Sequence, residues 1–249
     1  MFKKPFGVLI LHGFTSSIEC VSEVEPPMKA LKLPTRMPVL RGHGAESPEA
    51  LRGVKHEDWL ADGEAALLDL LKEVDKAIVI GLSMGGLVTL DLAAKYPEKI
   101  DSIVLAAAAV QLANPLAPNR PMSFLRPVIN LLFKKWAVPP VRADENLLQY
   151  DNNYPWAPMD AIDQLLEYMG EGRKNLARVH TPALILQGRK DITVVPEAAE
   201  MIYNGISTPK KDKKIIWYEV TSHEMFRDCE REKIIKDIEM YVKSRIGKK

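Results

Sequence analysis

Residues 79–90 read VIGLSMGGLVTL, in which the spacing Gly-x-Ser-x-Gly runs from Gly81 to Gly85. An apolar, strand-like run precedes these five residues, and a helix-like run follows them. A serine at such a sharp strand-to-helix turn carries its hydroxyl clear of the sheet, and the next backbone N–H is left unpaired at a helix N-terminus. The pattern predicts that Ser83 is a nucleophile and that the N–H of Met84 can bind an oxyanion.

On both sides of this turn, short apolar runs alternate with segments whose apolar residues recur at the spacing of one helix face. The runs predict strands at 7–11, 36–40, 77–80, 100–109, 183–187 and 214–220, and the stripes predict helices at 59–74, 84–96 and 234–246. This alternation predicts an α/β fold with a mostly parallel central sheet flanked by helices. Because the first strand starts so early, we expect the sheet to be shortened at its N-terminal edge.

The interval 111–180 breaks the alternation of strands and helices. It begins with a loop rich in proline and asparagine and continues into an apolar stretch without a strand-like run. We expect this interval to form a small helical lid. The lid would be inserted between residues 1–110 and 181–249, which together would form one core.

Bulk composition limits the classes of function. The chain has 249 residues, a formal net charge of +1 and two cysteines, Cys20 and Cys229. This length fits one large α/β domain, and the charge offers no general attraction for nucleic acid or an anionic membrane. No apolar run reaches a membrane-spanning length, and the short run near the N-terminus is interpreted as a strand rather than a signal peptide. We therefore expect a cytoplasmic protein with free thiols and no integral membrane association.

A serine nucleophile needs a histidine to accept its proton and an acid to orient that histidine. In a fold with this serine turn, the order along the chain is serine, acid, histidine. Only His180 and His223 follow Ser83, and only His223 comes just after a predicted strand, at the sheet edge where functional groups gather. Asp191 follows the preceding strand in the same way, although taken alone it can equally be a turn or helix-capping residue. Other acids, placed in the lid or in a surface turn, are poorer candidates: Asp163, Glu167 and Asp212.

The turn after the first strand is predicted to supply a second oxyanion donor. Residues 11–15 read LHGFT, and we choose the N–H of Phe14. The Phe14 ring is expected to flank an acyl group, with a purely structural place in the core as the alternative. His12 precedes the serine along the chain, so we expect it to hydrogen-bond to backbone and brace the turn. The histidines and cysteines show no metal-ligand spacing, and no metal or organic cofactor is expected.

Six short sequences recur in the order of a known superfamily. They are LHGFT (11–15), RGHG (41–44), HEDWLAD (56–62), GLSMGG (81–86), GRKD (188–191) and SH (222–223). On these sequences the chain resembles the α/β-hydrolase superfamily and, within it, small bacterial carboxylesterases and monoacylglycerol lipases. The resemblance implies Ser83 as nucleophile, Asp191 as acid and His223 as base, with oxyanion donors at Phe14 and Met84.

These observations predict a serine carboxylic ester hydrolase that works through an acyl-enzyme. We expect short- to medium-chain acyl esters as substrates, with monoacylglycerols as one candidate class, and a small-molecule ester as the partner of a monomer or homodimer. The apolar lid residues can pack on the core, line a pocket or contact lipid. The residues predicted to line the substrate pocket are Leu125, Ile129, Phe133 and Trp136.

Other activities of the same fold remain alternatives. The same fold also hosts feruloyl esterases, thioesterases, C–C bond hydrolases and perhydrolases, and sequence separates them poorly. Haloalkane dehalogenases are disfavoured because they need a carboxylate where Ser83 stands. A non-catalytic binding protein of this fold is a further alternative. It is disfavoured because all three candidate residues of a triad are present.

Overall fold

The computed structural model describes residues 3–117, 119–139, 141–144, 146 and 153–247. Most of its strands lie at the predicted apolar runs with shifts of at most three residues at their ends, but of the predicted strand 36–40 only Arg36 is in a strand. The strands are β1 (Lys4–Leu11), β2 (Thr35–Arg36), β3 (Val74–Leu82), β4 (Ile100–Ala106), β5 (Lys135–Ala137), β6 (Trp156–Pro158), β7 (Ala183–Gly188) and β8 (Lys213–Tyr218). The helices are α1 (Glu25–Ala30), α2 (His56–Leu70), α3 (Met84–Lys95), α4 (Arg126–Leu132), α5 (Met159–Asn175), α6 (Glu197–Gly205) and α7 (Arg231–Ile246).

Six of these strands form the central sheet, in the order β2-β1-β3-β4-β7-β8. Every neighbouring pair is parallel, so the expected parallel sheet is confirmed. The carboxyl ends of β1, β3, β7 and β8 therefore meet along one edge. Loops that follow parallel strands at this edge are where α/β proteins place their functional groups.

The central strands are apolar on both faces because helices cover both sides of the sheet. Along β1, Leu9 and Leu11 belong to the larger buried cluster, while Val8 and Ile10 belong to the smaller one. The larger cluster includes residues of α2, α3, α5 and α6, and the smaller one includes residues of α1 and α7. Side chains of a strand alternate between its two faces, so the sheet lies between two separate cores. None of the described helices is long and apolar enough to cross a membrane.

The interval 111–180, predicted to be a small helical lid without strands, contains strands as well as helices in its described part. Besides α4, this interval contains β5 and β6, which pair antiparallel with Trp136 opposite Ala157. Each of these strands has only three residues, too few to show the alternation that identifies a strand in sequence.

Helix α5 lies in the same interval but packs on the core. Its buried residues Leu165 and Met169 belong to the cluster that contains α3. Gly172 allows a close approach, since a Cβ there would lie 3.0 Å from Cδ2 of Leu87 on α3. This helix thus packs against α3 and α2, two helices of the core. The boundaries 111 and 180 of the lid remain a prediction.

Candidate active site

Ser83 lies in the turn between β3 and α3 with φ of 53° and ψ of −115°. A positive φ is strained for a residue with a side chain, and such strain concentrates at functional sites. Two glycines make the turn possible. A Cβ on Gly81 would lie 2.3 Å from the carbonyl oxygen of Gly85, and a Cβ on Gly85 would lie 2.4 Å from the carbonyl oxygen of Leu11. The backbone N–H of Ser83 donates to the carbonyl oxygen of Ala106 at 2.9 Å, which ties the turn to β4.

The loops after β7 and β8 bring Asp191 and His223 to Ser83. Ser83 Oγ–H donates to His223 Nε2 at 3.0 Å, and His223 Nδ1–H donates to Asp191 Oδ2 at 2.9 Å. The Asp191 carboxylate is fixed from its other side, because Oδ1 accepts the backbone N–H groups of Thr193 and Val194, each at 2.9 Å. The imidazole is thus held in the tautomer that leaves Nε2 as a proton acceptor. His180 is exposed and precedes β7, so it lies away from this edge.

Two opposing effects act on the pKa of His223. Burial disfavours the charged imidazolium, but the carboxylate of Asp191, its hydrogen bond and the charge of Glu224 favour it. The net result is a pKa raised above the ordinary histidine value of 6.5. His223 is thus a stronger base than a free imidazole.

The raised pKa gives a prediction for the pH dependence of activity. Only neutral His223 can accept the serine proton, so kcat/KM falls as the pH drops through the His223 pKa. We expect the midpoint of this acid limb above pH 6.5, the ordinary histidine value. In Asp191→Asn, loss of the negative charge lowers the His223 pKa, so the residual activity should have its midpoint at lower pH. A pH profile of ester hydrolysis for both proteins measures this, and a wild-type midpoint below 6.5 contradicts it.

The two predicted oxyanion donors flank the serine. Met84 follows Ser83 as the first residue of α3, and Phe14 follows Gly13, where a Cβ would lie 3.3 Å from Ser83 Cβ. Among the described residues, neither the Phe14 nor the Met84 N–H has a hydrogen-bond acceptor. Both groups are thus available to an oxygen atom bound next to Ser83.

His12 braces the turn that carries Phe14. Its Nδ1–H donates to the carbonyl oxygen of Gly13 at 2.9 Å, and its Nε2 accepts the backbone N–H of Leu40 at 3.0 Å. The expectation that His12 bonds to backbone is thereby confirmed. Burial lowers the pKa of His12, and burial together with the His12 ring lowers the pKa of His43 to about 3. Both histidines are therefore neutral at physiological pH.

The Phe14 ring both contacts aromatic side chains and borders a cavity. It lies edge-on to His43 and Trp59, with ring centroids 5.8 and 5.7 Å apart, and it also lines a cavity next to Ser83. The position of Phe14 therefore agrees with both predictions, a structural place in the core and a ring that flanks the acyl group.

The cavity beside Ser83 and His223 has a volume of about 450 Å³. Such a volume lies in the range of small-molecule sites. A second cavity of about 70 Å³ adjoins it, and the two share one apolar wall. The residues common to both linings are Leu112, Asn114, Trp136, Ile162 and Leu165.

The predicted pocket residues divide between these cavities and the surface. Trp136 lines both cavities, and Ile129 lines the smaller one. Leu125 and Phe133 line neither, and Phe133 is 57% exposed, so for these two residues the pocket prediction is corrected. Sequence reasoning missed Leu112 and the α5 residues of the shared wall. One signal was present, because Ile162 and Leu165 are three residues apart and face the same side of a helix.

Comparison with known proteins gives a consistent picture. A family model described as "Serine aminopeptidase, S33" (Hydrolase_4) matches residues 6–230. A carboxylesterase of Bacillus subtilis (strain 168) is 27% identical over 237 residues, which cover 93% of this chain and 90% of that protein. A thermostable monoacylglycerol lipase of Bacillus sp. (strain H-257) is 30% identical over 208 residues, covering 84% of this chain and 79% of that protein.

Solved structures agree in fold. One solved chain, from the metagenome-derived lipolytic enzymes LipS and LipT, superimposes with a TM-score of 0.84 at 29% sequence identity. The superposition covers 97% of this chain and 95% of the solved chain. The monoacylglycerol lipase of Paleococcus ferrophilus has a TM-score of 0.74 at 18% identity and covers 98% of this chain and 97% of its own, which shows a shared fold.

Proposed function

Because the chain belongs to the serine aminopeptidase, S33 (Hydrolase_4) family of α/β-hydrolases, we propose that it hydrolyses apolar carboxylic esters through an acyl-enzyme on Ser83. The enzyme is a serine hydrolase similar to carboxylesterases and monoacylglycerol lipases. The observation that carries the proposal is the hydrogen-bonded chain Ser83–His223–Asp191 at the wall of an apolar cavity.

In the proposed mechanism, Ser83 Oγ attacks the ester carbonyl carbon while His223 Nε2 takes the hydroxyl proton. The carbonyl oxygen becomes an oxyanion that accepts hydrogen bonds from the N–H groups of Phe14 and Met84. The C–O bond to the alcohol then breaks, and the alcohol leaves with the proton from Nε2. Water attacks the acyl-enzyme with the same help from His223, and Ser83 leaves with that proton.

The proposed substrates are short- to medium-chain acyl esters, with monoacylglycerols among them. The wall of Leu112, Trp136, Ile162 and Leu165 is apolar, so an acyl chain that lies against it is transferred out of water. Two relatives similar over most of this chain are named for the hydrolysis of carboxylic esters and monoacylglycerols, which supports this substrate class.

A series of nitrophenyl esters with acyl chains of increasing length tests the proposed substrate class. Burial of one methylene contributes about 0.8 kcal/mol, so kcat/KM should rise about fourfold per methylene until the cavity is filled. Beyond that length kcat/KM should level off or fall. Absence of hydrolysis for every ester in the series, in a protein shown to be folded, contradicts the proposed function.

Trp136→Ala should extend the range of acyl lengths. The indole lies in the wall shared by both cavities, so its removal joins and enlarges them. We expect the kcat/KM ratio of a long to a short acyl ester to increase about tenfold. Phe133→Ala is a matched control. It also removes an aromatic side chain from the lid, but the side chain of Phe133 lines neither cavity. Equal changes in both variants would mean that Trp136 does not limit acyl length.

A further inference from the structure

A buried carboxylate joins the lid to the loop that carries the candidate base. Asp228 is fully buried and lies just before α7. Its Oδ2 accepts the backbone N–H of Ser222 at 2.8 Å and that of Ala143 at 3.0 Å. Its Oδ1 accepts the backbone N–H of Cys229 at 2.8 Å and that of Asp144 at 3.2 Å. One side chain thus binds the lid and the loop after β8 at the same time.

On one side of this carboxylate lies the loop that carries His223. Ser222 precedes His223, so its N–H fixes the backbone directly beside the base. A second acid, Glu230, holds the two positions before it, because Oε2 accepts the N–H groups of Val220 and Thr221, each at 3.1 Å. Three successive N–H groups of this loop are therefore bound by acids that follow it in the chain.

On the other side of the carboxylate lies a lid segment that forms part of the cavity wall. Trp136, Val138 and Val141 line the cavity beside the serine, and Ala143 comes two residues after the last of them. The lining of this cavity contains neither Ala143 nor Asp228. The carboxylate therefore lies behind the wall and does not face the space for a substrate.

We propose that Asp228 is a positioning residue that fixes the lid wall of the cavity and the backbone of His223 relative to each other. An acyl chain that packs against the wall then also stabilises the position of the base, because both segments donate to one oxygen atom, Oδ2. The inference rests on the proposed function, since the wall and the base belong to the same site. A carboxylate that only stabilises the fold would give no link between acyl length and the loop of His223.

The first experiment measures ester hydrolysis in Asp228→Asn. Asparagine offers one acceptor oxygen, and its NH₂ group turns towards an N–H donor, so the lid and the loop can no longer both be held. A displacement of about 1 Å in a reacting group costs up to about 10²-fold, and we expect kcat for nitrophenyl esters to fall about 10- to 100-fold. The kcat/KM ratio of a long to a short acyl ester should also fall at least about fourfold, the contribution of one methylene to burial. Partial unfolding scales both esters alike and cancels in this ratio.

Glu230→Gln is the matched control. Glu230 holds the same loop, and among the described residues its hydrogen bonds go to Val220 and Thr221 rather than to the lid. We expect kcat to fall in this variant as well, whereas the ratio of the long to the short ester should stay within about twofold, because the wall keeps its anchor. Thermal unfolding establishes that each variant is folded.

The second experiment uses the wild-type protein and needs no variant. Ser83 is phosphonylated with a short-chain or a long-chain alkyl fluorophosphonate, and hydrogen exchange is measured at single backbone amides. The long chain packs on the lid wall, so the N–H groups of Ala143 and Ser222 should both exchange at least about fivefold more slowly than with the short chain, the value of about one hydrogen bond. The N–H of Val220, which Glu230 holds in the same loop, should not respond to chain length.

Several results would overturn the inference. These are an unchanged ratio of long to short ester in folded Asp228→Asn, an equal fall of that ratio in Glu230→Gln, or slower exchange at Ala143 without a change at Ser222. The exchange experiment decides the question if Asp228→Asn does not fold. Each of these results leaves ester hydrolysis itself intact. A folded wild-type protein that neither hydrolyses the esters nor reacts with the phosphonates instead contradicts the proposed function, and the inference falls with it.

Discussion

Ser83→Ala is expected to lower kcat/KM for the best ester by about 10⁴- to 10⁶-fold. In the proposed mechanism, the change removes the hydroxyl oxygen that attacks the ester carbonyl and forms the acyl-enzyme. The fold should persist, because among the described residues Ser83 Oγ has one hydrogen bond, to His223. Steady-state hydrolysis and thermal unfolding, measured on the same preparation, separate the loss of chemistry from a loss of structure.

Ser222→Ala is the control for this variant. Ser222 is also buried and precedes His223, but its hydroxyl has no hydrogen bond to Ser83, His223 or Asp191. Its activity should stay within about tenfold of the wild type, because it lacks a role in the proposed mechanism. If Ser83→Ala keeps more than about one hundredth of the wild-type kcat/KM, another group performs the attack.

Gly85→Ala is expected to lower the free energy of unfolding by about 4 kcal/mol or more, or to prevent folding. A Cβ at this position would lie 2.4 Å from the carbonyl oxygen of Leu11 and 2.7 Å from that of His12. Both are backbone atoms, so relief of the clash must move the end of β1 or the start of α3. That movement would also displace the N–H of Phe14 from Ser83, so activity should fall together with stability.

Gly170→Ala supplies the matched control for the glycine change. Gly170 lies within α5, and a Cβ there has no atom within 4 Å. Alanine favours a helix over glycine, so this variant should be more stable than the wild type by up to about 1 kcal/mol. Equal stability of Gly85→Ala and Gly170→Ala in denaturant unfolding would contradict the close contact between the serine turn and β1.

Sequence patterns predicted the sheet and the candidate triad for a physical reason. Buried parallel strands leave long apolar runs, and their carboxyl ends meet along one edge. The loops after β7 and β8 had to approach the turn after β3, which distinguished His223 from His180 and favoured Asp191 among several acids. The structure joins these three side chains by hydrogen bonds of 2.9 and 3.0 Å.

The pocket was harder to predict, because its walls come from segments far apart in sequence. Leu112 and Ile162 lie 50 positions apart in the sequence. Strands β5 and β6 are too short to show the alternation of apolar and polar residues that indicates a strand. Apolar character alone also does not indicate which way a side chain faces. Phe133 is as apolar as a lining residue and is 57% exposed.

The most direct test of the account is active-site labelling with a fluorophosphonate, followed by mass measurement of the intact chain and of its peptides. The reagent phosphonylates a serine that a neighbouring base activates. We expect one adduct per chain, located on Ser83, and no adduct in folded Ser83→Ala. An adduct on a different residue, or an unlabelled wild-type protein that is demonstrably folded, would contradict the assignment of Ser83 as the nucleophile.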